Sequence, residues 1–276
     1  MAKAKKDPNE MSFLDHLEEL RWHLIRASVA ILIAAVVVFF FKSFVFNTLI
    51  DGPRKVDFAT YQFFCNLSQN LGLNDGLCVT EMPFKVQHTQ MASPFSIHIW
   101  TSITLGFILA FPFVLFEIWR FIKPGLHDNE RKYAGAFISI GSLLFFLGVL
   151  FGYYVIAPLS VNFLGGYSLG NDAVNNPTYS SYIAIIRSTI LAGGIIFELP
   201  IIIYFLAKLG LVTPAFLRKY RKHAFVLVLI ASAIITPPDI ASQVIVSIPI
   251  VILYEISILV TKIVVRNQEK KALRNG

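Results

Sequence analysis

Long apolar runs alternate with short charged segments along this chain, and the spacing predicts membrane-crossing helices. Each of the runs 94–116 and 133–155 exceeds the ~20 residues an α-helix needs to cross a bilayer core. Earlier, a first span is predicted over about Leu24–Phe46, with Ala27–Phe41 wholly uncharged; a fourth covers about Ile183–Ala207. Two shorter runs close the series, Ala224–Ile235 and Ile240–Val260, separated by Thr236-Pro-Pro-Asp239. The first of them is short for an untilted crossing, so the pair is read as a short hairpin that thins the local bilayer. The pattern predicts an all-α integral membrane protein with six transmembrane helices, the last two short, filling residues 1–276 as a single membrane domain.

Polar punctuation gives the connections. Ser12-Phe-Leu-Asp15 has capping-box spacing for a helix start. Leu17, Leu20 and Leu24 then share one face and Glu19, His23 and Arg26 another, so 12–26 is expected to lie along the interface as an amphipathic helix before the chain turns into the bilayer. Residues 47–93 form a long outer loop and 157–182 a second one. Pro158 is expected to end or kink the third span. Thr213-Pro214 should start a short helix, and Asp239 should cap the last one. No cleavable signal peptide is expected, because the first apolar run starts late and no small-x-small site follows it.

Composition agrees with this reading: 55% of the residues are hydrophobic and 15% charged, against nearer ~25% charged in soluble domains. The net charge of +7 is distributed by side. The amino-terminal stretch, the island around 120–132, residues 208–222 and the tail 262–276 hold 19 of the 24 Lys and Arg. Lys42, Arg54, Lys55, Lys85 and Arg187 are the remainder. By the positive-inside rule both termini and the island are expected at the cytoplasmic face. The basic balance therefore reflects topology and implies no nucleic-acid partner.

Candidate chemistry is sparse. No phosphate-binding loop, His-Glu-x-x-His or nucleophile elbow occurs, the histidines show no metal-ligand spacing, and no cofactor or enzymatic activity is expected. Cys65 and Cys78 share the outer loop; in an oxidising compartment they would close a disulfide, and otherwise they stay as two thiols. Within the island 117–132, Trp119 and Phe121 are expected at the headgroup boundary, and Glu130 is a carboxylate among cations. Glu198 lies mid-span, where an ionisable group should face the bundle interior; a proton-carrying or partner-binding site and a protonated acid bonded to a neighbouring helix are both open. Gln243 and Glu255 in the last span receive the same reading.

Five motifs then occur in one order: His16-Leu-Glu-Glu-Leu-Arg21, Ala92-Ser-Pro-Phe95, Trp119-Arg-Phe-Ile-Lys-Pro-Gly-Leu126 with Asn129-Glu-Arg131, Phe197-Glu-Leu-Pro200, and Thr236-Pro-Pro-Asp-Ile-Ala-Ser-Gln243. Over about residues 12–262 the chain resembles the TatC subunit of the twin-arginine (Sec-independent) protein translocase. The resemblance implies a receptor in the bacterial inner membrane that binds twin-arginine signal peptides of folded proteins at the cytoplasmic face. It also implies assembly with single-span TatA and TatB partners, self-association in the receptor complex, and transport driven by the proton-motive force. By motif match Glu19, Arg21, Phe121 and Glu130 would form the signal-peptide site, and Glu198 would be the polar residue inside the bundle's concave face. The chain departs from the family's pattern in its outer loop, whose cysteine-bearing part, roughly 57–90, has no recognised counterpart. The Ala-Pro-Leu usual after the first span is replaced by Asn47-Thr-Leu-Ile-Asp-Gly-Pro53. A proton-coupled secondary transporter using Glu198 is the alternative; no internal repeat of the kind common in that class is visible.

Overall fold

The computed structural model describes residues 13–70, 72, 78–82, 84–123, 134–167, 176–236 and 239–275. Among them there is no strand, only an isolated bridge between Gln87 and Thr178. The helices are α1 (Phe13–Phe40), α2 (Ala59–Asn70), α3 (Ser93–Ile122), α4 (Ala134–Phe151), α5 (Ala157–Gly166), α6 (Tyr179–Phe197), α7 (Leu199–Lys208), α8 (Pro214–Lys219), α9 (Arg221–Ile235) and α10 (Ile240–Asn275). Five helical stretches are long and apolar enough to cross a membrane: 17–40, 93–122, 137–166, 179–208 and 242–270. The protein is an all-helical membrane protein.

The chain divides into two compact units, neither contiguous in sequence: 1–42 with 98–143, and 43–97 with 144–276. In the first unit α1 is one uninterrupted helix, so the turn expected near Leu24 is absent. No Gly or Pro lies between Phe13 and Phe40 to break it. Gly106 of α3 lies against the backbone of Ala35, where a Cβ would overlap. Close approach through small residues is the usual way helices pack in lipid. His98 Nε2 lies 3.1 Å from the carbonyl oxygen of Phe39, one of the helix-end acceptors that α1 leaves open, and its ring stacks on Phe39.

The second unit is built on α10. It packs against α7 and α9, while α6 packs against the π-helical turn Gly152–Ile156. Ile156, Val228, Val246 and Ile250 form one buried cluster; Ile203, Leu217 and Ile258 form another. Gly148 and Gly193 face each other so closely that a Cβ on either would overlap the other's carbonyl oxygen. Thr213 caps α8 by accepting from Phe216 N at 3.2 Å, and Asp239 caps α10 by accepting from Ser242 N at 2.8 Å.

Of the two outcomes expected at Pro158, an end or a kink, the span does not end there, and a π-helical turn, Gly152–Ile156, precedes it. The helical path runs from Phe137 to Gly166, and Pro158 sits in the first turn of α5. Proline withholds an N–H from the carbonyl four residues earlier, that of Tyr154. The Thr60 hydroxyl donates to that carbonyl instead. The backbone is thereby satisfied, as a non-aqueous setting requires.

Tyrosines tie the segment after α1 into the same unit. Tyr182 donates to the Ile50 carbonyl at 2.7 Å and Tyr153 to that of Leu49 at 2.8 Å. Tyr61 reaches the carbonyls of Pro53 at 2.9 Å and Pro158 at 3.0 Å. Burial pushes the Tyr61 phenol above its ordinary range, so it stays a donor. Beside it, Cys65 and Cys78 are joined in a disulfide with Cα atoms 4.4 Å apart, inside the usual range.

Candidate functional site

The first unit gathers the charged side chains. Helix α1 presents Glu19, Arg21, His23 and Arg26; α3 presents Glu117, Arg120 and Phe121 near its end. Glu117 is 2% exposed and forms the centre of a cluster. The Nδ1 of His23 lies 2.5 Å from its Oε2, as fits the tautomer that donates there. Arg120 Nη1 is 3.3 Å from Oε1 and Arg26 Nη1 3.6 Å from Oε2. The His23 ring also meets Phe121 edge-on, with centroids 6.2 Å apart. One imidazole therefore contacts both the buried acid and an aromatic residue predicted for the site.

Sequence reasoning missed Glu117. It opens the charged island, yet its partners His23, Arg26 and Arg120 mask what marks it out, and two of them lie on a distant helix. The available signal was an acid inside the apolar run Phe113–Ile118 with Arg120 three residues on.

Glu19 is half-buried, and its Oε2 has no hydrogen-bond partner among the described residues. Arg21 is exposed at the rim of an apolar groove lined by Leu17, Leu20, Leu24, Ile25 and Val29. Phe121 is half-buried. Glu130 and the Ser12 cap lie outside the described residues. Trp119 is buried against Phe137, with centroids 4.7 Å apart, instead of standing among the exposed rings.

In the second unit, Glu198 falls at a break in the helical path. It ends α6 and precedes α7, because Pro200 denies the Ile196 carbonyl its usual donor. Its side chain is 7% exposed, and both carboxylate oxygens lack a hydrogen-bond partner among the described residues. Gln243 is held: its Nε2 donates to the Leu229 carbonyl at 3.1 Å, stapling α10 to α9. Glu255, midway along 242–270, is bonded to the neighbouring helix α9: Arg221 Nη2 lies 2.6 Å from its Oε2. No cluster of His, Cys, Asp and Glu among the described residues could hold a metal ion.

A family model described as Sec-independent protein translocase protein (TatC) matches residues 15–249. The chain belongs to the TatC family. It is 41% identical to the Sec-independent protein translocase protein TatC of Blattabacterium sp. subsp. Periplaneta americana, over 93% of this chain and 97% of that one. It is 32% identical to TatCy of Bacillus subtilis, over 96% of this chain and 94% of that one. A crystal structure of the twin arginine translocase receptor TatC superposes with a TM-score of 0.67 at 32% identity, covering 91% of this chain and 99% of that one. As a TatC-family member the chain is a multi-pass bacterial membrane protein and a component of the Sec-independent translocase, not an enzyme.

Proposed function

We propose that this TatC-family chain is the signal receptor of its translocase, binding twin-arginine signal peptides of folded proteins at the cytoplasmic face. Glu19 and Glu130 each take one arginine, Phe121 packs beside the peptide, and exposed Arg21 orients the neighbourhood of Glu19. A guanidinium offers a planar fork of donors that matches a carboxylate bidentately. The observation that supports this reading is the Oε2 of Glu19, a buried acceptor without a partner among the described residues, on the helix that also bears the exposed Arg21. Glu117 is the contrasting acid in the same unit, already saturated by His23, Arg26 and Arg120.

In this reading α9 completes a set of six crossings, both termini and the island face the cytoplasm, and the membrane is the inner one. TatA and TatB assemble on the chain, copies of it associate in the receptor complex, and the proton-motive force drives transport. Glu198 serves the transport step, because an acid at a helix break whose two buried oxygens have no partner among the described residues is suited to a new one.

The test is the affinity of a twin-arginine precursor for wild type, Glu19→Gln and Glu130→Gln in matched membranes. Charge-assisted bonds contribute about 1.5–3 kcal/mol each, so either variant should bind on the order of tenfold more weakly. Wild-type affinity in a normally folded variant removes that carboxylate from the site.

A further inference from the structure

Outside the signal-peptide residues, the second unit carries a basic cluster beside an apolar groove. Residues 208–223 contain Lys208, Arg218, Lys219, Arg221, Lys222 and His223 and no acid. Arg218, Lys219, Arg221 and Lys222 are all exposed, spread over α8 and the first turn of α9. Below them a groove of about 460 Å³ opens between α9 and α10. Arg221, Lys222 and Glu255 line it together with Phe225, Val228, Val251 and Tyr254.

We propose that this groove binds an anionic phospholipid, with the phosphate on Arg221 and Lys222 and one acyl chain along Val228, Val251 and Tyr254. Charge argues for the headgroup. Glu255 is the only acid of α10 before Glu269, and it engages one nitrogen of Arg221. A guanidinium has five N–H donors, so the rest of that fork, with the Lys222 ammonium, is open to phosphate oxygens. Basic pockets between membrane helices are a known form of lipid-headgroup site.

Length suits an acyl chain. From Arg221 to Val228 the groove follows α9 for about 10 Å, at ~1.5 Å per residue, so a chain whose headgroup sits on Arg221 and Lys222 would run along its apolar wall. The floor offers such a chain buried contact at Val228, 8% exposed. The Tyr254 hydroxyl in that wall is already occupied: it donates to the Leu217 carbonyl at 2.8 Å.

The experiment is native mass spectrometry of the purified full chain, titrated with phosphatidylglycerol or phosphatidylcholine of identical acyl chains. Wild type should retain phosphatidylglycerol at about tenfold lower lipid concentration, the worth of one charge-assisted bond. Arg221→Gln with Lys222→Gln should bring the two lipids together. Arg266→Gln with Lys270→Gln removes equal charge from exposed positions further along α10 and should leave the preference intact. Ala224→Phe, which narrows the groove wall, should weaken retention of both lipids. Glycerol 3-phosphate, which has the phosphate without chains, should displace neither. Equal retention of the two lipids by wild type, an unchanged preference in the Arg221 and Lys222 variant, displacement by glycerol 3-phosphate, or a second protein copy bound in place of lipid would each overturn the proposal.

Discussion

Replacing Glu117 with Ala should loosen the first unit measurably. Its carboxylate is 2% exposed, and its shortest contact, to His23 at 2.5 Å, joins two buried side chains. A hydrogen bond to a charged group contributes about 1.5–3 kcal/mol, and each buried methylene lost adds about 0.8 kcal/mol. Arg26 and Arg120 are each 46% exposed, so water replaces much of what they lose, and each adds at most about 1 kcal/mol. The sum points to roughly 3 kcal/mol for Glu117→Ala, within the range for breaking a buried pair. Glu117→Gln keeps the volume and an acceptor for His23, and should cost about half as much. At about 2–4 °C per kcal/mol for a chain of this size, Ala should lower the melting midpoint by about 6–12 °C. Fluorescence-detected size exclusion after stepwise heating in detergent reads this directly. Adding His23→Ala to Glu117→Ala should cost clearly less than the two single losses combined, because both remove the same bond. An Ala variant melting within about 1 °C of wild type, or strict additivity in that cycle, would refute the claim that this contact ties α1 to α3.

Two further outcomes are expected. Glu198→Ala should slow transport while leaving precursor affinity unchanged, and Glu198→Gln should be milder, since an amide and a protonated acid both donate; an Ala variant transporting at the wild-type rate in a vesicle assay would leave only a packing role. A single cysteine at His127 in an otherwise cysteine-free chain should react with a membrane-impermeant reagent from the cytoplasmic side, and labelling from the outer side alone would invert the proposed topology.

Five of the six expected crossings were legible because apolar length is a strong local signal, whereas the run 224–235 is not among the stretches long enough; the caps at Thr213 and Asp239 were legible because a cap depends on residues three positions away. Features built by distant partners were hidden. His23 and Glu117 are 94 positions apart, as are Thr60 and Tyr154, whose contact lets the chain run through Pro158. Arg221 and Glu255 are 34 apart, so the partner of this mid-span acid, in an exposed ion pair, was not visible locally. The continuity of α1 was obscured by its mixed face, since amphipathic turns and an apolar run can belong to one helix when nothing breaks it. Of the candidate site, the motif match named Glu19, Arg21 and Phe121, which the structure places in one unit together with the unforeseen Glu117. The two units themselves leave no boundary in the sequence, because each is assembled from two separated stretches.

The central claim is that the chain reads paired arginines. Its most direct test is equilibrium binding of one precursor, carrying either Arg-Arg or Lys-Lys in its signal, to the chain in native membranes. An ammonium cannot reproduce the bidentate fork, so the account predicts that Lys-Lys binds at least about tenfold more weakly and that the gap narrows in Glu130→Gln. Equal affinity for the two signals on the wild-type chain would contradict it.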